Sequence, residues 1–423
     1  MSEDILDNFK ALQKCSLEEE EEEEEEDIVI EDAGDDEGDD DDDDEEEEEE
    51  EPTTLGFVEK PKNRWSLLRH LFPSKAGGVP AWLDPVNLPS GRLCKCDFCD
   101  EPLHFVMQVY APISDKDLTF HRTIFVFMCR SMSCLLKDQH GQWQRQPDKA
   151  LRSVKVFRCQ LPRSNPFYSS EPPRYNGTDK PSGDGVAAAL CDWCGTWKGD
   201  KVCSNCRKAR YCSEKHQTRH WRCGHKVACQ KMILSSSDSI PCKITSTSAD
   251  LPKDARDTLW PEFEIINEDE SEYDLEETTD TNKANSLVLA GRVDDTINSM
   301  MDTFEGDGDK KSWASFQVRI SKAPDQVLRY SRGARAKPLW PMSGGRPSKA
   351  DIPKCCYCGG PRIFEFQILP QLLYYFGVKN DVDSLDWATL VVYTCEASCE
   401  ASVAYKEESV WIQLSSSSPS MPC

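Results

Sequence analysis

The chain has no apolar run long enough to cross a bilayer. Stretches such as Trp387 to Tyr393 fall far short of the ~20 residues that a spanning helix needs. The start, MSEDILDNFK, lacks both the basic and the apolar region of a secretory signal. The expectation is a protein with no membrane partner, in a reducing compartment. Basic residues are absent between Glu18 and Glu51, where 28 acidic residues account for more than the whole net charge of -26. The remainder is therefore near +2, and the acidity belongs to a solvated tail over 1–54 that suits a basic partner. A catalytic constellation is also missing. His104, His121 and His140 read as polar or packing residues, no methyltransferase-like motif is visible, and the protein is expected not to be an enzyme. With the folded remainder close to neutral, no direct contact with nucleic acid is expected, although Lys198 to Arg210 and Lys215 to Lys226 form a local basic patch.

What is abundant is cysteine, 21 residues in all. Where thiols stay reduced, paired cysteines are explained by metal better than by disulfides. Eight ligand-type residues stand close together: Cys191 and Cys194, Cys203 and Cys206, Cys212 and His216, His225 and Cys229. A C-x2-C turn brings two thiolates to one tetrahedral zinc, and pairs at i, i+4 share a helix face. The eight make two sites, paired either in sequence or interleaved. Both would be filled by protein, which fits a structural role. His220 is the one close competitor, and Cys223 and Cys242 are left over.

The flanking blocks repeat one pattern. Cys96 and Cys99 are followed by Pro102, Phe105 and Gln108, and Cys355 and Cys358 by Pro361, Phe364 and Gln367, at identical offsets. Each copy then reaches a β-branched and aromatic run that ends in a second cysteine pair, Cys129 with Cys134 and Cys395 with Cys399. A third apolar segment follows, at Ser153 to Phe157 and Ser409 to Leu414. Each set of four cysteines is expected to hold one zinc, with Cys94 and Cys356 as minor competitors, so the total is two zincs in the finger and one in each flanking block. The expected architecture is α+β: two duplicated, mostly antiparallel β modules, zinc-pinned and forming a bilobal unit, with the finger inserted between them. The boundaries are a disordered tail at 1–54, the first module at 55–163, a linker at 164–185, the finger at 186–232, an acidic Ser/Thr-rich linker at 233–311, the second module at 312–415 and a tail at 416–423.

The finger, CDWCGTWKGDKVCSNCRKARYC followed by SEKHQTRHWRCGHKVAC, resembles the MYND finger. That resemblance implies a cross-brace, with Cys191, Cys194, Cys212 and His216 on one zinc and Cys203, Cys206, His225 and Cys229 on the other. His216 stands where such fingers more often have cysteine. LGFVEKPKNRWSLLRHLFPSKAGGVPAWLDPVNLP and CDFCDEPLHFVMQVYAP in the first block, and VLRYSRGARAKPLWP and IPKCCYCGGPRIFEFQILPQLLYYF in the second, are similar to the N- and C-terminal domains of the programmed cell death protein 2 family. The resemblance implies a dedicated chaperone or adaptor that captures a basic small-subunit ribosomal protein during 40S ribosome biogenesis and rRNA maturation, in cytoplasm and nucleus. The alternative is a transcriptional co-regulator whose finger binds proline-containing peptides, with Gln217 and Trp221 in contact. A methyltransferase or ubiquitin ligase is a weaker alternative.

Overall fold

The computed structural model describes residues 52–144, 151–171, 187–234, 248–273 and 308–415, apart from 64, 380 and 382. The acidic run, most of the first linker, residues 274–307 and the last eight residues lie outside them.

Ten strands form one closed barrel, and a two-stranded ribbon in the finger makes up the rest of the sheet structure among the described residues. The strands are β1 (Thr54–Glu59), β2 (Lys75–Ala76), β3 (His104–Tyr110), β4 (His121–Met128), β5 (Val154–Leu161), β6 (Lys201–Val202), β7 (Arg210–Tyr211), β8 (Phe263–Asp269), β9 (Gln326–Tyr330), β10 (Arg362–Ile368), β11 (Thr389–Cys395) and β12 (Tyr405–Gln413). Around the barrel the order is β1-β8-β2-β3-β4-β5-β12-β11-β10-β9, and β9 closes back onto β1. The helices used below are α1 (Met132–Trp143), α2 (Glu214–His220), α3 (Lys226–Leu234) and α4 (Gly308–Ser321).

The expectation of a bilobal unit is corrected here, since the described residues make one compact unit. The run β3-β4-β5 of the first block meets β12-β11-β10 of the second edge to edge, through Tyr405 opposite Cys159 and Glu408 opposite Val156. The physical reason is the strand edge. Each block alone would leave β5 or β12 with unpaired N–H and C=O groups, and pairing them removes both edges. On the far side β1 and β8 bridge β9 to β2. Strand β8 lies inside the stretch expected to be an acidic linker. Glu264 to Asp269 pair residue for residue with β1, from Glu59 opposite Glu264 to Thr54 opposite Asp269, and Phe263 stands opposite Ala76 of β2. Within the stretch expected to be the first linker, Tyr168 donates its hydroxyl to the Leu83 carbonyl at 2.6 Å.

Strands β3, β4, β5, β10, β11 and β12 are largely buried on both sides, which explains why alternation is weak in their sequences. Ile124, Val126 and Met128 of β4 join Val154, Val156, Phe366, Ile368, Leu390, Val392, Val410 and Ile412 in a core drawn from both blocks. The alternate residues of β4 and β5, Phe125, Phe127 and Phe157, turn to a second core that contains the finger. Two buried ion pairs stitch the blocks together: Arg122 with Glu365, and Arg158 with Glu408 at 2.6 Å. Gln139 and Gln142 of α1 accept from the free amides of Leu414 and Ile412 at 2.7 and 3.0 Å, which covers β12 beyond the reach of β5.

Candidate metal centres

Four C-x2-C turns are built alike. In each, the amide of the residue after the second cysteine donates to the carbonyl of the first: Asp100 to Cys96, Gly195 to Cys191, Arg207 to Cys203 and Gly359 to Cys355, at 2.8 to 3.0 Å. Each of those residues has positive φ, between 55° and 74°. This left-handed closure turns the chain sharply enough for both sulfurs to point at one centre. The amide of the first cysteine then separates the turns into two kinds. Cys96 and Cys355 donate five residues ahead, to Glu101 and Gly360, whereas Cys191 and Cys203 donate six ahead, to Trp197 and Ala209.

The structure brings the sixteen candidate residues together in four groups, with the ligand atoms of each group within 4.8 Å of one another. Cys96, Cys99, Cys129 and Cys134 form one, and Cys355, Cys358, Cys395 and Cys399 another. The other two are Cys191, Cys194, Cys212 and His216, and Cys203, Cys206, His225 and Cys229, which is the interleaved arrangement. Sulfur pairs stand 3.6 Å apart at Cys99–Cys129, Cys355–Cys399 and Cys358–Cys395, and 3.9 Å apart at Cys194–Cys212 and Cys203–Cys229. The edge of a zinc–thiolate tetrahedron is about 3.8 Å for bonds of about 2.3 Å, and a disulfide would need about 2 Å, so the donor sets fit zinc. The histidines approach by different atoms. His216 offers Nδ1, 3.7 Å from the Cys191 sulfur, and His225 offers Nε2, 3.7 Å from that of Cys206. Ser213 caps α2 by accepting from the His216 amide at 3.2 Å, which fixes that ring's approach.

Each group holds a thiol disposed to ionise. Cys96 is brought down to about 5, chiefly by its hydrogen bond with Cys129. Burial opposes the charge on Cys203, yet the amides of Cys206 and Asn205 and the His225 ring outweigh it and bring the thiol to about 6. Cys194 is lowered against its burial by bonds to Cys191 and Cys212, and Cys358 by the Gly360 amide. In the same groups Cys129 is raised chiefly by its bond to Cys96, while burial raises Cys229 to about 11 and Cys399 to about 12. Such proton sharing among thiols is what a cation would replace.

The competitors fall outside. His220 Nδ1 is held by the Tyr211 hydroxyl at 3.1 Å, Cys94 is buried with its thiol pushed up chiefly by burial, and Cys356 and Cys223 are exposed. Cys242 lies outside the described residues. His121 packs on Phe72 at 4.1 Å, consistent with a packing role.

Several supporting residues went unread in the sequence. Asn205 donates to the Cys229 sulfur at 3.2 Å, and Arg158 lies 3.8 Å from that of Cys399. Trp197 Nε1 donates to the Leu103 carbonyl at 2.8 Å with its ring 4.2 Å from Phe127, and Trp82 Nε1 donates to the Thr196 carbonyl at 2.7 Å. Glu101 receives Lys215 of α2 at 2.5 Å. The finger is therefore seated on the barrel. An exposed-looking tryptophan just after a C-x2-C turn was the available signal for that contact.

Fold and sites together define a zinc-finger protein in which a MYND-type cross-brace is built onto a β-barrel. Family models match three consecutive stretches: "Programmed cell death protein 2, N-terminal domain" over residues 52–175, "MYND finger" over 191–229, and "Programmed cell death protein 2, C-terminal putative domain" over 310–414. Programmed cell death protein 2 of Bos taurus is 38% identical over 370 residues, covering 86% of this chain and 96% of that protein. Programmed cell death protein 2-like of Homo sapiens is 26% identical over 357 residues, or 77% and 85% of the two chains. A Schizosaccharomyces pombe protein named "Probable 20S rRNA accumulation protein 4" is 32% identical over 121 residues, 25% of this chain and 28% of that one. No solved structure matches the chain. The chain belongs to the programmed cell death protein 2 family.

Proposed function

We propose that this protein is a dedicated chaperone or adaptor that holds a basic protein of the small ribosomal subunit during 40S biogenesis, in cytoplasm and nucleus, and that it is not an enzyme. The observation that carries the reading is the similarity to a protein whose name concerns 20S rRNA accumulation. The finger supports a protein-binding role. The metal groups support a structural one, since each offers four protein donors and so leaves a tetrahedral ion no position for water or substrate. We further propose four zinc ions per chain, two in the finger and one in each flanking group.

The test is purification of the tagged chain from cells and identification of its stoichiometric partner. A small-subunit ribosomal protein is expected, and a partner set made only of transcription factors with proline-rich segments would overturn the reading in favour of a co-regulator. The run of 28 acids at Glu18–Glu51 would speed capture of a basic client by long-range attraction. Association rates of the full chain and of residues 52–423, measured over a salt series, check this: deletion should slow binding most at low salt, and equal rates with equal salt slopes would leave the tail only a solubility role.

A further inference from the structure

Averaged over the folded region the charge is near zero, but the finger is far from neutral. Residues 186–232 hold ten lysines and arginines against three acids. Each loaded group of three thiolates and one imidazole would carry a single negative charge, so the finger remains about +5. The structure distributes these charges unevenly. On the side that meets the barrel, Glu101 takes Lys215 at 2.5 Å and lies 3.8 Å from Arg219, and Lys201 pairs with Glu214 at 2.9 Å. Around the second metal group the pattern changes. Arg207 follows the ligand Cys206, Lys226 follows the ligand His225, and Arg222 precedes them in the same turn-and-helix segment; all three are exposed, and none makes an ion pair with a described residue. The Cys206 sulfur and the His225 ring are 3.7 Å apart, which places Arg207 and Lys226 about one centre. One acid, Asp254, approaches this face at Cys223.

Next to Arg222 in the chain is Trp221, 38% exposed, its ring 6.0 Å from that of the ligand His225. Cations outside any ion pair beside an exposed indole are what a single-stranded nucleic acid uses: phosphates for the charges and a base for the ring. A proline-containing peptide could cover Trp221 but would leave the cations unanswered. An acidic polypeptide would answer the cations but has no base to stack on the ring.

We propose that this outward face of the finger, made by Arg207, Arg222, Lys226 and Trp221, binds the backbone of single-stranded RNA, with one base stacked on Trp221. The inference stands apart from the chaperone reading and runs against the expectation, drawn from averaged charge, that nucleic acid is not contacted. It is tested with the full, zinc-loaded chain and a labelled oligouridine of roughly 12 nucleotides, by anisotropy across a salt series. Affinity should fall as salt rises. Removing two phosphate contacts with Arg222→Gln and Lys226→Gln should lower the log–log salt slope by about 1.4. Trp221→Ala should weaken binding about 10-fold and leave the slope unchanged. Zinc content reports whether each variant is folded. If the double variant loses metal, Arg207→Gln, on the knuckle rather than the helix, should still lower the slope by about 0.7. Absence of saturable binding, or variants indistinguishable from the parent, would overturn the proposal. Oligoglutamate competing as well as RNA of equal charge, with no effect of Trp221→Ala, would assign the face to an acidic protein instead.

Discussion

The smallest unit of this structure is the residue that closes each C-x2-C turn. Gly195 and Gly359 supply the left-handed conformation without a Cβ penalty, whereas Asp100 and Arg207 adopt it with a side chain. A Cβ on Gly359 would meet nothing within 4 Å, so its backbone angle alone resists substitution. Gly359→Ala should therefore cost about 1–2 kcal/mol, and Asp100→Gly should recover part of a similar cost after losing the Lys95 contact at 2.7 Å. Denaturant unfolding of both zinc-loaded variants checks the signs, and a neutral Gly359→Ala would show that the turn is not strained. All sixteen ligand candidates were legible from spacing. The closing residue was not, because aspartate and arginine do not announce a positive φ, and the supporting Asn205 and Arg158 act through contacts that spacing cannot carry.

At the scale of elements, the repeat was visible and its closure into a barrel was not. The shared offsets have structural counterparts. A bulge falls at Phe105/Met107 in β3 and at Phe364/Phe366 in β10, six residues after the second cysteine in each case. Three residues further on, the Gln108 amide clamps the passing chain by accepting from the Ala81 amide and donating to the Pro73 carbonyl, as Gln367 does with both backbone groups of Leu339. Which edge meets which is a long-range choice, and β8 is written as Phe-Glu-Ile-Ile-Asn-Glu-Asp, too polar to read as a barrel strand. The ion pairs across the joined edges make a prediction. Burial opposes the charge on Glu365, and Arg122 overcomes it and holds the carboxyl below its ordinary range. Arg122→Met alone would leave that buried carboxylate with Arg332, 3.7 Å away, as its remaining cation and should destabilise by about 3–5 kcal/mol, whereas adding Glu365→Leu should recover most of the loss. Additive effects in thermal unfolding of the two single variants and the double would contradict the pairing.

Over the whole molecule, the finger is a structural part of the barrel. The two blocks share a core, the finger seats Trp197 in the adjoining one, and the four metal groups draw on both blocks and the finger. The sequence placed the finger as an insertion between two lobes. What it could not display was Trp197 beneath the Leu103 carbonyl, a contact between residues 94 positions apart. Removing that ring with Trp197→Ala should cost about 3–5 kcal/mol and loosen both finger and barrel. Unfolding followed by separate probes in the two parts would show a shared transition in the parent chain, and independent transitions there would mean that the finger is only tethered.

The most direct measurement is metal content. Zinc quantified per chain in protein purified without added metal, then again during titration with a chelator, should give four ions, and withdrawal of the flanking pair should unfold the barrel because their binding free energy is part of its folding free energy. Two ions, with the barrel intact after the finger has been stripped, would contradict the account.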